Sequence, residues 1–283
     1  MKAPAFDYVR AADAASAQAL LAEHGEGARL LAGGQSLLAT LNLRLSEPSI
    51  LIDIGRIGLS AIEDRAGGVH VGALATHAAI GRSALVAAKV PLLTDAAPHI
   101  AHAAIRNRGT MGGSLGLADP AAEWPACALA LGATVILSSA ARGQRQVVAG
   151  EFFQGLFATA AATDEMILGV DFPPLGPEER QGCLELARRH GDYAIVGVAC
   201  ALRLVGGRVR NLRAAFFGVG PTPILCRTAA AAAEDAPPGD AARAAADALP
   251  RELHPPDDPT MDGATRLHLA QVLLRRAITR LAA

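Results

Sequence analysis

The chain has 283 residues, 51% apolar and 19% charged, with a formal net charge of -1. That length fits one large domain or two modest ones with a real core, and the composition excludes a disordered tail. The near-neutral balance argues against a broad surface for nucleic acid or anionic membranes.

Residues 1–8 hold no apolar segment of the signal-peptide kind. The longest apolar run starts at Ala126 and passes Leu137, but Gly132, Thr134, Ser138 and Ser139 interrupt it. It falls short of the roughly 20 residues of a membrane span, so the expectation is a soluble cytoplasmic protein. The elements then follow in chain order. A helix is expected over 13–24, with Asp13 as N-cap and Gly25 as its stop. Short strands are expected over 29–32, 49–54 and 69–74. Asp119-Pro120 reads as the start of a helix running to Leu131, with Asp119 as N-cap, Pro120 at its first position and Gly132 ending it. Strands over 134–137 and 166–172 follow, and 173–180 reads as a linker. Beyond it, 194–205 and 209–217 read as an antiparallel pair joined at Gly206-Gly207. Alanine-rich helices are expected over 227–236 and 241–249. A last helix over 263–281 has Leu267, Ala270, Leu274 and Ile278 on one face. The order is that of an α+β chain of at least two lobes.

Two glycine loops stand out: Ala32-Gly33-Gly34-Gln35-Ser36 and Thr110-Met111-Gly112-Gly113-Ser114. Paired glycines can direct successive backbone N–H groups into one concavity that suits phosphate oxygens, or they can simply make tight turns. Neither loop has the spacing of a Rossmann fingerprint or a P-loop. The cysteines Cys127, Cys183, Cys200 and Cys226 lack C-x-x-C spacing, so they read as small buried hydrophobes rather than iron–sulfur or zinc ligands. His24, His70, His99, His102 and His254 show no metal spacing. No metal site and no catalytic acid or base is assigned to the chain.

Leu30-Leu31-Ala32-Gly33-Gly34-Gln35-Ser36-Leu37-Leu38 resembles the first flavin loop of the FAD-binding medium subunit of molybdenum hydroxylases, the carbon monoxide dehydrogenase and xanthine dehydrogenase group. The segment from Ala104-Ile105-Arg106-Asn107-Arg108-Gly109 through Thr110-Met111-Gly112-Gly113-Ser114 is similar to its second loop, and Ala118-Asp119-Pro120-Ala121-Ala122-Glu123 continues the signature. Arg188-Arg189-His190-Gly191-Asp192-Tyr193-Ala194 resembles the motif opening the C-terminal domain; 51–54 and 72–77 also fit. The resemblance implies the FAD-binding fold of the vanillyl-alcohol oxidase and p-cresol methylhydroxylase type over 1–175, in subdomains of about 1–55 and 56–175. A C-terminal flavoprotein domain of antiparallel sheet with helices is implied over 181–283.

The same resemblance implies the cofactor-binding residues. Ala32, Gly33, Gly34, Gln35, Ser36 and Leu37, with Thr110, Met111, Gly112, Gly113 and Ser114, would hold the pyrophosphate. Asp119 and Glu123 would bring acidic groups to the cofactor from one face of a helical first turn, although Asp119 also suits a plain N-cap and Glu123 a solvated helix position. Arg188, Asp192 and Tyr193 map near the isoalloxazine, where arginine can stabilise anionic flavin and a tyrosine ring can cover it; a surface Arg–Asp pair beside a core tyrosine is the plainer reading. Ile100, Ile167 and Leu168 complete the implied set.

There are departures from the pattern. Ala39 stands where a proline often ends the first loop, and Leu117 replaces a common histidine. Leu184-Glu185-Leu186 occupy the place where purine-oxidising relatives carry a lysine, which speaks against NAD reduction of that type. Gln35 stands where covalent flavoproteins of the wider fold place a histidine, so noncovalent FAD is expected. The expectation is an electron-transfer subunit. Its partners would be a small subunit with two [2Fe-2S] clusters and a large subunit with the molybdenum cofactor, in a dimer of heterotrimers. The alternatives are a stand-alone FAD-dependent oxidoreductase and a flavin-free scaffold.

Overall fold

The computed structural model describes residues 2–259 and 261–283. Its first layer is a three-stranded parallel sheet in the order Asp7–Arg10, Ile50–Asp53, Ala28–Leu31. The helix Ala14–His24 covers it. Asp13 caps that helix by accepting the Ser16 N–H at 2.7 Å, Ser16 Oγ returns the bond to the cap, and Gly25 ends it at φ 51°. Ala17 and Leu21 are buried against Ala28, Ile50 and Ile52. Each large aliphatic side chain sunk this way contributes about 1.5–3 kcal/mol.

The second layer is a five-stranded antiparallel sheet ordered Ile62–Arg65, Gly68–Gly72, Met166–Phe172, Thr134–Ser139, Gly143–Val148. Pro91–Ala96, Met111–Leu117 and Glu123–Leu131 are helices built on this sheet's core, where Trp124, Met111, Leu92, Leu93 and Phe152 are fully buried. The third sheet is the antiparallel run Glu179–Leu186, Val196–Val205, Arg208–Phe217, Ile224–Leu225. Its hairpin turns at Gly206 and Gly207, φ 57° and 73°, as two consecutive positive values require glycine or asparagine.

This third sheet is buried on both faces. Val196, Val198, Cys200 and Leu202 pack under the helices Arg227–Ala233, Pro238–Ala248 and Gly263–Ala282. The intervening Ala199 and Ala201, with Ala215 and Phe217, join the core of the second layer. Small residues on that face let the helix Glu123–Leu131 lie directly on the sheet. Arg213 fixes the contact by donating to the carbonyls of Leu129 and Ala130 at that helix's end.

The α+β architecture follows the sequence reading, but one helix does not. Asp119-Pro120 opens no helix: Asp119 Oδ1 accepts the Ala121 N–H at 2.9 Å and closes a turn, and the helix begins at Glu123. Pro125 is the reason. In a helix starting at Pro120 it would sit inside, without an N–H and against the carbonyl of Ala121; in one starting at Glu123 it falls in the first turn, where no N–H is needed. Asp119 and Glu123 therefore do not share a helical first turn. The linker is shorter than expected, since the strand Glu179–Leu186 starts inside it. Among the described residues no helix is long and apolar enough to cross a membrane.

Candidate cofactor site

The two glycine segments come together although about 75 residues separate them. A Cβ on Gly33 would collide with the backbone carbonyl of Arg108 and crowd Gly109. Gly34 sits at φ 75°, a left-handed value that turns the chain from strand Ala28–Leu31 into helix Leu37–Asn42. Residues 32–37 are all half-buried, and Gln35 Nε2 donates to the Gly33 carbonyl at 3.2 Å. Among the described residues, no backbone hydrogen bond starts from the N–H of Gly33, Gly34, Gln35, Ser36 or Leu37. Successive unused donors in a narrow, side-chain-free turn form a cradle for an anion.

The second segment works differently. It is not a free loop but the first turn of Met111–Leu117, capped by Thr110, whose Oγ1 accepts the Gly113 N–H. Its other early donors are spent as well: Met111 N–H reaches the Ala75 carbonyl at 3.0 Å and Gly112 N–H the Ala73 carbonyl at 2.8 Å. Gly112 is there for close approach, since a Cβ would press on Ala73. Gly113 and Gly116 instead present an exposed, bare helix face, with Ser114 half-buried between them and Ile167 beneath Gly116. Leu168 packs toward the first layer, and its carbonyl accepts the Ala73 N–H.

His77 supports this segment. Its N–H bonds the Gly109 carbonyl at 2.9 Å, and its ring accepts from Trp124 Nε1 at 2.8 Å. Burial, reinforced by the Arg106 charge, holds its pKa down to about 4. The imidazole is therefore neutral near pH 7, with Nδ1 the acceptor and Nε2 facing Gly109. Residues 72–77 had a sequence signal through their resemblance to the family, but nothing in the sequence pairs His77 with Trp124.

The third cluster lies where the C-terminal domain meets the turn at 118–121. Arg188, Asp192 and Tyr193 line one cleft with Pro120, Ala121 and Gly218. The Gly218 N–H donates to the Pro120 carbonyl at 2.8 Å. Gly191, φ 87°, packs on Ala101 and His102, which brings this loop beside Ile100. Ile100 is buried; Arg106 holds its carbonyl at 2.9 Å. Tyr193 is 72% exposed and presents an uncovered ring.

The acids are different in kind. Asp119 is half-buried, and burial raises its pKa. Glu123 is only 9% exposed. Burial, then the nearby Glu185 and Asp119 carboxyls, push it up to about 8. Glu185, on strand Glu179–Leu186, is pushed up to about 7 by its own burial. The sequence reading did not select Glu185 as a site residue. Burial likewise raises all four thiols, Cys127 and Cys183 near this pair, Cys200 and Cys226 further off, which suits inert packing.

The arrangement fits a long ligand with an anionic middle: a donor cradle, a bare glycine face and a cleft with arginine, acid and an open aromatic ring. The comparisons agree with that chemistry. Residues 4–175 match the family described as the FAD binding domain in molybdopterin dehydrogenase, and residues 184–281 the CO dehydrogenase flavoprotein C-terminal domain. The chain is 34% identical to caffeine dehydrogenase subunit beta of Pseudomonas sp. (strain CBB1), covering 100% of this chain and 96% of that one. It is 42% identical to the 6-hydroxypseudooxynicotine dehydrogenase complex subunit alpha of Paenarthrobacter nicotinovorans, covering 81% and 78%. Its fold superimposes on a chain of carbon monoxide dehydrogenase from Hydrogenophaga pseudoflava with a TM-score of 0.96 at 35% identity, covering 99% and 98%.

Proposed function

The chain belongs to the flavin-binding medium subunits of the molybdenum hydroxylases, and from that premise we propose that it holds FAD noncovalently and relays electrons through it to an external acceptor. The observation that carries the reading is the meeting of Gly33 with Arg108–Gly109, which brings an unused row of backbone donors against the segment leading into the helix that carries Gly113 and Gly116. FAD, when bound, supplies the redox chemistry.

The rest is done by this chain's residues. The N–H groups of residues 33–37 would hold the pyrophosphate, with Ser36 and Ser114 as added hydroxyl donors. The backbone of the second segment, tied to Ala73 and Ala75, fixes the far wall of the site rather than donating to it. Arg188 and Asp192 would orient the ring system, Tyr193 would cover one of its faces, and Ile100, Ile167 and Leu168 would supply apolar wall. Gln35 cannot form the histidyl link of covalent flavoproteins, which supports a dissociable cofactor. The domain limits proposed are 1–175 and 181–283.

In this reading the electrons come from a small subunit with [2Fe-2S] clusters, fed by a large subunit with the molybdenum cofactor, in a cytoplasmic complex that assembles as a dimer of heterotrimers. The absence of clustered cysteines in the sequence supports such a division of labour. The test is reconstitution. The FAD-loaded chain, mixed with substrate and acceptor, is expected to turn over only after the partner subunits are added. Full-rate turnover without them would overturn the subunit reading in favour of a stand-alone oxidoreductase.

A further inference from the structure

A second cleft opens in the flavin-binding domain, between the helix His77–Arg82, the turn that follows Pro91–Ala96 and the short helix Ala103–Arg106. Its volume is about 230 Å³, several times the roughly 30 Å³ that one water takes up in the liquid. Gly81 lines it without a side chain, and a Cβ there would press on that of Ala97. The polar groups of its wall are His77, Arg82, Arg106 and Asn107, and among the described residues no carboxylate lines it.

These groups arrive with unused donors. His77 is only 6% exposed. Its Nδ1 accepts from Trp124, so the ring proton sits on Nε2, and that N–H has no partner among the described residues. Trp124 is fully buried and does not line the cleft, so the ring edge that reaches the cleft is the one turned away from Nδ1. Arg106 is held by Nη1, which donates to the Ile100 carbonyl at 2.9 Å and the Ala101 carbonyl at 2.6 Å; its Nε and Nη2 have no partner among the described residues. The side chains of Arg82 and Asn107 make no hydrogen bond or ion pair among the described residues. The wall thus carries two permanent positive charges, a buried neutral N–H and an amide, with no acid to balance them. Such a set suits an oxyanion, and the planar guanidinium fork matches phosphate oxygens. Arg106 is already fixed by its backbone partners, so ordering it on binding costs little.

We propose that this cleft is an anion site separate from the pyrophosphate cradle, taking a phosphate-sized oxyanion between Arg82 and Arg106 with His77 Nε2–H as its buried donor. None of residues 32–37 or 110–114 lines it. The two sites meet along the chain from 106 to 109: Gly33 packs on the backbone of Arg108 and Gly109, whereas Arg106 and Asn107 line the cleft. The His77 backbone N–H is bonded to the Gly109 carbonyl. A bound anion therefore bridges the helix His77–Arg82 to the segment against which the first glycine loop rests. The site does not depend on the flavin reading above.

The test is calorimetric titration of inorganic phosphate into the intact chain, once stripped of flavin and once loaded with FAD, with ionic strength held constant by chloride. Saturable binding to a single site is expected, with the same affinity in both forms. Arg82→Gln is expected to weaken it about tenfold or more, the loss of one charge-assisted contact, while FAD uptake stays as in the wild-type chain. Arg243→Gln removes an exposed arginine from the helix Pro238–Ala248 and is expected to change neither. If Arg82→Gln does not fold, Asn107→Ala takes its place, with weaker phosphate binding again expected. No saturable binding, or a loss as large in Arg243→Gln as in Arg82→Gln, overturns the site. Phosphate that binds the stripped chain and is displaced by FAD marks a place for the cofactor's own phosphates and overturns a separate site. A chain that takes up no FAD contradicts the flavin reading, and the titration of the stripped chain then decides the anion site alone.

Discussion

Gly33 and Gly113 are alike in sequence and unlike in place. A side chain on Gly33 must displace the Arg108 carbonyl, which is backbone, so Gly33→Ala is expected to cost about 1–3 kcal/mol of stability as well as FAD affinity. Gly113 is exposed, and an added methyl meets only the Thr110 hydroxyl, at 2.9 Å. Gly113→Ala is therefore expected to weaken FAD about tenfold or more while denaturant unfolding stays close to wild type. Equal stability losses in the two variants would count against this division. Trp124→Phe probes the same wall from below: it leaves the His77 Nδ1 acceptor buried and unmet, a cost of about 1–3 kcal/mol readable in urea unfolding. An unchanged midpoint would mean that the Trp124–His77 bond contributes nothing net.

The helix Glu123–Leu131 lies on the C-terminal sheet, Arg213 ties its last turn to that sheet, and at its first turn the Glu123 carboxyl is raised by burial and by the nearby Glu185 carboxyl. Arg213→Ala is expected to destabilise by about 1–3 kcal/mol, since two helix-end carbonyls lose a charged donor. A loss near zero by denaturant melt would show that water replaces it. The other end sets a pH dependence. Both carboxyls have folded pKa values raised above the ordinary 4.5. The unfolded chain thus gives up its protons first as pH rises. The stability linked to the pair is whole below 4.5 and is lost as pH climbs through about 7 and about 8. The melting temperature is expected to drop between about pH 5 and about pH 8 and to level off above it, and Glu185→Gln is expected to reduce that drop. A wild-type profile flat across this window would contradict it.

At the scale of the whole molecule, local signals were legible and contacts between layers were not. Asp13 and Gly25 marked a real helix because caps act within one turn. Gly206-Gly207 marked a real hairpin because its turn needs two positive φ values. Both glycine segments were visible, but not that the second is a helix whose donors are spent on Ala73 and Ala75. The strand Asp7–Arg10 was missed because its parallel partner, Ile50–Asp53, is about 40 residues away and its own side chains are mostly exposed. Pro125 could have corrected the helix start, since proline is tolerated only in a helix's first turn. Glu185 had no local signal at all: strand alternation does not say which acid will lie buried near Glu123 of another domain. The sequence resemblance, not periodicity, brought residues 32–37, 110–114 and 188–193 into one account, and the fold sets 32–37 against 108–109, and the 188–193 loop against 101–102 and 120–121 at the domain junction.

That junction leads to one claim, that this chain is the FAD-carrying component of its complex. The measurement that tests it most directly is the flavin released by acid from the purified chain, identified and counted against protein. The account expects FAD in a ratio approaching one per chain, wholly released on denaturation. FMN in its place, flavin that stays bound to denatured protein, or a chain that takes up no flavin when FAD is supplied would contradict it.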